Sequence, residues 1–491
     1  MKNLSAASIG LLLGPLSFVL IIFFATPDDL SPEGVAMMAA TSWVAIWWIT
    51  EAVPIAATSL LPLVLFPLLG VMGIKDTSVA YADPMVLLYM GGFMIAVTIE
   101  KWNLHKRIAL AIISIIGTDL KRIILGFMVA TAFLSMWISN TATALMMLPI
   151  AMAVVGQLGA NLRGTSITEN QIGQALMLGI AYSASIGGVA TIIGTPTNIV
   201  LVGVIKEIYQ VEIGFAQWMT VGVPIAVALL MVCWLYLVKV AYPFPSIALP
   251  GGREEITRQI QQLGGMSKEE KRVLVVFVAV SLCWMSRTFL LNRFLPALDD
   301  TIIALTGALL LFLLPAGKEN TGRLLDWKTA ERLPWGILLL FGGGLTIAAG
   351  FQVTGLAQWI GVQFVALENV PFWLFLIAII TAVNFLTEIT SNTATASMIL
   401  PILAAVALAM GVHPYGLMIS ATLAASCAFM LPVATPPNAI VFGSGYVTIP
   451  DMMKTGIWMN ILSIILIFFI AYFLLPRFWN FDMSVFPTDF I

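Results

Sequence analysis

Ser139-Asn140-Thr141-Ala142-Thr143-Ala144, with Leu148-Pro149 behind it, returns as Ser391-Asn392-Thr393-Ala394-Thr395-Ala396 with Leu400-Pro401, 252 residues further on (391 − 139). A match of this quality marks an internal repeat, and a repeat decides architecture before any single motif is weighed. A second pair keeps the same order: Gly194-Thr195-Pro196-Thr197-Asn198 answers Ala434-Thr435-Pro436-Pro437-Asn438, 240 residues apart (435 − 195). Leu87-Leu88-Tyr89-Met90-Gly91-Gly92 and Leu339-Leu340-Phe341-Gly342-Gly343 form a looser pair, of the kind that close helix packing at glycine produces.

The chain around these motifs is too apolar to cover a water-soluble globule: 60% of its 491 residues are hydrophobic and only 10% charged, with a mean hydropathy of +1.00. Apolar stretches of about 20 residues, the length of a spanning helix, recur from Ile9–Ala25 to Ile457–Leu475. The first is read as a permanent helix, because Met1-Lys2-Asn3 is barely basic and Thr26-Pro27-Asp28-Asp29 is no cleavage site.

Lysine and arginine gather at 101–122, 239–272 and 318–332, with Lys2 at the start, and the positive-inside rule puts all of them in the cytoplasm. Spans are expected near 8–26, 34–50, 55–72, 84–99, 172–205 (broken) and 217–240. After the polar linker 243–271 they resume near 272–290, 300–316, 334–351, 415–445 and 457–475. The apolar segment that follows an amphipathic stretch (104–116) breaks at Ser139-Asn140-Thr141 and reads as a hairpin, about 138–156; its counterpart is a hairpin near 373–410. The expectation is therefore an all-α polytopic membrane protein with eleven spans and two re-entrant hairpins. Residues 1–33 hold the N-terminal helix, 34–242 repeat 1, 243–271 a cytoplasmic linker and 272–491 repeat 2. The N-terminus falls inside and the C-terminus outside. Each repeat holds five spans and a hairpin, and an odd number inverts the second copy, the arrangement by which secondary transporters alternate access.

Pro196 and Pro436 lack a backbone donor and disfavour helix at the preceding threonine, so both spans should unwind there. Irregular backbone cannot face lipid, so the breaks must lie within protein or line a watery cavity. Freed carbonyls with hydroxyl and amide oxygens suit a hard cation such as Na+, while the N-terminal ends of half-helices suit a carboxylate. The bland alternative, hydrogen bonding between helices, fits one such motif better than two pairs in matching order. Neither motif carries lysine or arginine, so dipoles and bound cations would have to balance an anion.

Cys233, Cys283 and Cys427 have no metal spacing and read as small apolar residues. His105 and His413 lie far apart beside loop-like residues and read as structural. Glu388 reads as support for the second hairpin rather than a coupling group, Glu100 as an interfacial charge and Glu51 as a helix-end residue; a charge at mid-membrane costs roughly 2.5–3.5 kcal/mol on insertion scales. An intramembrane hydrolase lacks a His-Glu-x-x-His pattern and a histidine to serve Ser139 or Ser391. A channel has no need of two inverted half-sites.

The paired Ser-Asn-Thr-Ala-Thr segments, the Thr-Pro-Thr-Asn and Thr-Pro-Pro-Asn breaks, and Trp47-Trp48-Ile49-Thr50-Glu51-Ala52-Val53-Pro54 together resemble the divalent anion/sodium symporter family over nearly the whole chain. The resemblance implies a homodimer in the cytoplasmic membrane. In it a mobile transport domain moves past a scaffold in elevator fashion and carries C4-dicarboxylates such as succinate, malate and fumarate. It implies substrate contacts from Asn140, Thr141, Thr195, Asn392, Thr393, Thr435 and Pro436. One Na+ would sit among Ser135, Ser139, Asn140 and Gly194, and another among Thr387, Thr390, Asn392 and Ala434. No organic cofactor and no nucleic-acid partner are expected. The family also contains sodium-independent dicarboxylate:dicarboxylate antiporters, and carriers of citrate and sulfate.

Overall fold

The computed structural model describes residues 6–25, 27–117, 119–159, 167–245, 252–317, 322–364 and 370–490. Among these the regular elements are helices, with a single isolated bridge between Pro315 and Arg323. Seven helices of the described residues are long and apolar enough to cross a membrane: Ala6–Phe24, Ile74–Lys101, Asn140–Gly159, Phe215–Ala241, Trp335–Val353, Asn392–Ala409 and Ile449–Trp479. Shorter apolar helices cover Ile55–Leu68, Asp300–Leu313, Phe372–Leu386 and Pro414–Ala425. The chain is a multi-pass membrane protein.

The tryptophan-rich segment has a packing role. Trp47 Nε1 donates to the Gly10 carbonyl at 3.1 Å, and the fully buried Trp48 donates to Ser59 Oγ at 3.2 Å. The pair ties Pro32–Thr50 to Ala6–Phe24 on one side and to the short helix Ile55–Thr58 on the other. Glu51 ends its helix in the left-handed region, at φ 46°.

Basic clusters that are distant in sequence meet in space. Arg107 pairs with Glu270 at 2.9 Å and donates to the Gly264 carbonyl, while Lys101 pairs with Asp326 at 2.5 Å. The Lys101 hydrogen bond, with help from the Thr329 amide, pulls the Asp326 carboxyl down to about 2. These contacts gather 101–107, 264–270 and 326 on one face of the molecule.

Two segments differ from the sequence expectation. Residues 138–156 supply only one arm of a helix pair, Asn140–Gly159; the other arm is Leu120–Ser135. Lys121 and Arg122, counted among the cytoplasmic basic residues at 101–122, form its first turn, capped by Asp119 accepting the Arg122 amide at 3.0 Å. Within the 243–271 linker, Gly252–Leu263 is helical. Ile256, Ile260 and Leu263 recur at helical spacing and pack into the core against Leu104–Ile116 and Asn140–Gly159. Residues 246–251 of that linker lie outside the described residues, as do Lys2, Lys318 and 365–369.

The halves interdigitate at the paired motifs. Pro436–Phe442, which opens at the second Thr-Pro break, packs on Asn140–Gly159 and Glu169–Gly188. Asn392–Ala409 in turn packs on Pro196–Tyr209, which opens at the first break. Each helix that begins at a repeated motif is thereby packed on a helix that begins at the other half's break.

Candidate functional site

The Leu120–Ser135 and Asn140–Gly159 helices meet at a turn that leaves Ser139, Asn140 and Thr141 half-buried. One end of the Asn140 amide stands 2.5 Å from Ser135 Oγ, 3.1 Å from the Ala184 carbonyl and 3.2 Å from the Gly194 carbonyl. Ser135 Oγ, fully buried, also lies 2.7 Å from Ala184 O and can donate its one proton there. With the Asn140 nitrogen at that end, its two N–H groups face three oxygens within reach; with its oxygen there, four oxygens converge around a single hydroxyl proton. An oxygen-only cluster of that kind suits a hard cation.

The second turn repeats the pattern. Thr387 Oγ1, fully buried, donates to Asn392 Oδ1 at 2.6 Å and lies 3.0 Å from the Ala425 carbonyl. Ser135, Asn140 and Ala184 thus correspond to Thr387, Asn392 and Ala425. Ser391 and Asn392 are half-buried, as Ser139 and Asn140 are.

Both broken spans are held by asparagine. Asn198 Nδ2 donates to the carbonyls of Thr191 (2.7 Å), Val189 (3.1 Å) and Gly188 (3.3 Å). Asn438 Nδ2 donates to Leu431 (3.0 Å) and Ala428 (3.2 Å). Thr195 and Thr435 have nearly the same extended backbone, φ −140° and −143°, at the N-cap of their helices. The extended geometry follows from the proline that succeeds each threonine. Asn198 Oδ1 and Asn438 Oδ1, both fully buried, meet no donor among the described residues.

Of the first proposed cation set, Ser135, Asn140 and Gly194 are in mutual reach, while Ser139 Oγ accepts the Ala142 amide and acts as a helix cap. Of the second, Thr387 and Asn392 are bonded. Thr390 pairs with Thr395 Oγ1 at 2.7 Å, and the Ala434 amide turns back to Leu431. Among the proposed substrate residues, Thr195 Oγ1 lies 3.4 Å from Thr197 Oγ1 and Thr435 Oγ1 accepts the Asn438 amide at 3.2 Å. Thr393 is buried, Thr141 half-buried and Pro436 exposed.

Glu388, expected from the sequence to support the second hairpin, and two asparagines that sequence reasoning left without a role surround this core. Glu388 sits 3% exposed behind the second turn and accepts from Asn460 Nδ2 at 2.7 Å. Asn384 donates to the Cys427 carbonyl at 2.7 Å. Asn460 was detectable as a lone amide in the apolar run of Ile449–Phe469, since buried amides in such helices need partners. The histidines are structural: His105 Nδ1 lies 3.3 Å from the Ile99 carbonyl, and His413 caps Pro414–Ala425.

Residues 6–481 match the family model described as the sodium:sulfate symporter transmembrane region. Two curated proteins named sodium-dependent dicarboxylate transporter SdcS are 47% identical to the chain. The Staphylococcus saprophyticus protein aligns over 481 residues, 97% of this chain and 93% of the relative. The Staphylococcus aureus USA300 protein aligns over 483 residues, 97% and 92%. Two solved structures share the fold, each with a TM-score of 0.58 at 14% identity: Neisseria gonorrhoeae MtrF, covering 96% of both chains, and the Alcanivorax borkumensis YdaH transporter, covering 82% of this chain and 88% of its own.

Proposed function

The chain belongs to the sodium:sulfate symporter family, a family of transporters and not of enzymes, and we propose that it is a secondary transporter that carries C4-dicarboxylates across the cytoplasmic membrane with Na+ as co-substrate. The observation that carries this reading is the recurrence of one arrangement of hydroxyl, asparagine amide and backbone carbonyl: Ser135, Asn140 and Ala184 in the first half, Thr387, Asn392 and Ala425 in the second, each able to turn an amide oxygen toward a bound cation. Two such clusters beside helix breaks provide two cation positions without any lysine or arginine. Helices begin at Asn140, Pro196 and Asn392, so their positive dipole ends lie at the motif residues. Together with Na+ they would offset the two charges of succinate, malate or fumarate held by Asn140, Thr141, Asn392, Thr393, Thr195 and Thr435. The relatives' name, sodium-dependent dicarboxylate transporter, supports the same substrate class and coupling ion.

In this reading the Leu120–Ser135/Asn140–Gly159 and Phe372–Leu386/Asn392–Ala409 pairs are re-entrant hairpins in two inverted repeats. Eleven spans run from a cytoplasmic N-terminus to an external C-terminus. A homodimer supplies the fixed frame in the lipid, and the hairpins with their broken spans form the moving part. The face that gathers Arg107, Glu270, Lys101 and Asp326 is the cytoplasmic one.

The test is radiolabelled succinate uptake by protein reconstituted into liposomes. An inward Na+ gradient is compared with K+ in its place, and with vesicles preloaded with unlabelled succinate. Uptake into empty vesicles that requires Na+ is expected. Uptake only into preloaded vesicles, indifferent to Na+, would overturn the coupling and make the protein an exchanger.

A further inference from the structure

Residues 135–138 and 387–390 of the two turns differ at every position, and one of these differences brings in a carboxylate. Met136 follows Ser135, whereas Glu388 follows Thr387. Every polar partner of the Glu388 carboxylate is a donor. Oε1 accepts from the Phe429 amide at 2.7 Å, the Met430 amide at 3.0 Å and Asn460 Nδ2 at 2.7 Å; Oε2 accepts from the Met430 and Leu431 amides, both at 3.1 Å.

Residues 429–431 belong to the unwound stretch between Pro414–Ala425 and Pro436–Phe442. Their amides have left the helical ladder and, at this depth, need acceptors from the protein. Asn438 takes the carbonyls of Ala428 and Leu431 from the other side, so this stretch is fixed on both edges. It is also pressed against Gly456, where an added Cβ would stand 2.3 Å from the Phe429 carbonyl.

The first break is built otherwise. Its Val189 and Ala190 amides return to the Ile186 and Gly187 carbonyls, and Thr191 Oγ1 donates to the Met136 carbonyl. Backbone supplies there what a carboxylate supplies in the second half.

We infer that Glu388 is a positioning residue for the second cation position: through the 429–431 amides it sets where the second break, down to Ala434 and Thr435, stands against Thr387 and Asn392. The two cation positions are therefore inequivalent, and the second depends on a side chain that need not touch Na+. The inference rests on the sodium-coupled reading above.

The experiment follows wild type, Glu388→Gln, Asn460→Ala and Met136→Leu through two Na+ titrations: thermal stability of the purified protein in detergent without substrate, and succinate uptake in proteoliposomes. Glu388→Gln keeps the shape but turns an amide nitrogen toward backbone donors. It is expected to raise the half-saturating Na+ concentration about tenfold or more in both titrations. Asn460→Ala removes one donor and should shift both the same way by about threefold. Met136→Leu should titrate like wild type.

An unmoved Na+ midpoint in Glu388→Gln, even with slower uptake, overturns the inference and leaves sodium coupling standing. If that variant does not fold, an unmoved midpoint in Asn460→Ala overturns it equally. A wild type that neither gains stability from Na+ nor needs it for uptake removes the parent reading instead.

Discussion

Thr197 Oγ1 and Ser426 Oγ share a hydrogen bond of 2.7 Å across 229 residues of sequence, joining the first turn of the helix after the first break to the residue that caps Pro414–Ala425. It is a direct polar link between the two broken spans. Ser426 Oγ also donates to the Thr422 carbonyl at 3.1 Å, so losing Thr197 does not strand it. Thr197→Val, nearly constant in volume, should cost about 1 kcal/mol, read as a lower Tm in detergent. The Thr197→Val/Ser426→Ala double variant should cost less than the sum of the two single losses. Full additivity would mean the contact contributes nothing.

Asn140→Ala and Asn392→Ala each remove the amide at the centre of an oxygen cluster, from half-buried positions. Both should lower succinate uptake by more than about tenfold while the size-exclusion profile stays that of the native protein. Near-normal uptake in both would sink the site assignment.

The clamps that hold the breaks should matter to stability first. Asn198 serves three carbonyls and Asn438 two, and an unsatisfied buried carbonyl costs about 1–3 kcal/mol. Asn198→Ala is expected to lower thermal stability more than Asn438→Ala. The reverse order would show that the carbonyls find other partners when the clamp is gone.

Close approach of backbones makes Gly187 irreplaceable. A Cβ there would stand 2.2 Å from the Ala132 carbonyl, where the facing atom is backbone and cannot turn away. Gly187→Ala should therefore separate Leu120–Ser135 from Glu169–Gly188 and cost about 2–4 kcal/mol. At Gly156 a Cβ meets nothing within 4 Å, and Gly156→Ala should be neutral or slightly stabilising. Comparing the two melting temperatures checks the packing.

Arg287 and Asp300 form a buried ion pair at 2.8 Å, 5% and 3% exposed, with Glu212 on the outer side of the guanidinium and the Phe215 amide on Asp300 Oδ2. Arg287→Met leaves the Asp300 charge buried with no partner cation and should destabilise by about 3–5 kcal/mol. Adding Asp300→Asn keeps an acceptor for Phe215 and should recover much of the loss, visible as a rise in Tm over the single variant. A double variant no more stable than the single one would show that the charge was not the cause.

Much of this was legible along the chain. Low charge dictated a lipid environment, and proline at 196 and 436 dictated two breaks, because both effects act on composition or on neighbouring residues. The recurrence of Ser-Asn-Thr named the turns that carry Asn140 and Asn392. The Leu120–Ser135 arm of the first helix pair was not legible, since Lys121 and Arg122 group with the basic residues at 101–122 when the Asp119 cap is not seen. The helix inside the linker was missed for a similar reason: its three apolar residues show their purpose only against the core they cover.

The sequence by itself determined that the chain lives in lipid, that helices break before Pro196 and Pro436, and which small polar residues stand at those breaks. Only the tertiary structure decided how the freed backbone is satisfied: Asn198 and Asn438 on the carbonyls, Glu388 on the amides of 429–431, and Asn140–Gly159 and Asn392–Ala409 each packed on a helix that begins at the other half's break. The reason is physical. A proline announces a helix break through local geometry, but the partners a break requires are supplied by side chains on other helices, and their distance is set by packing.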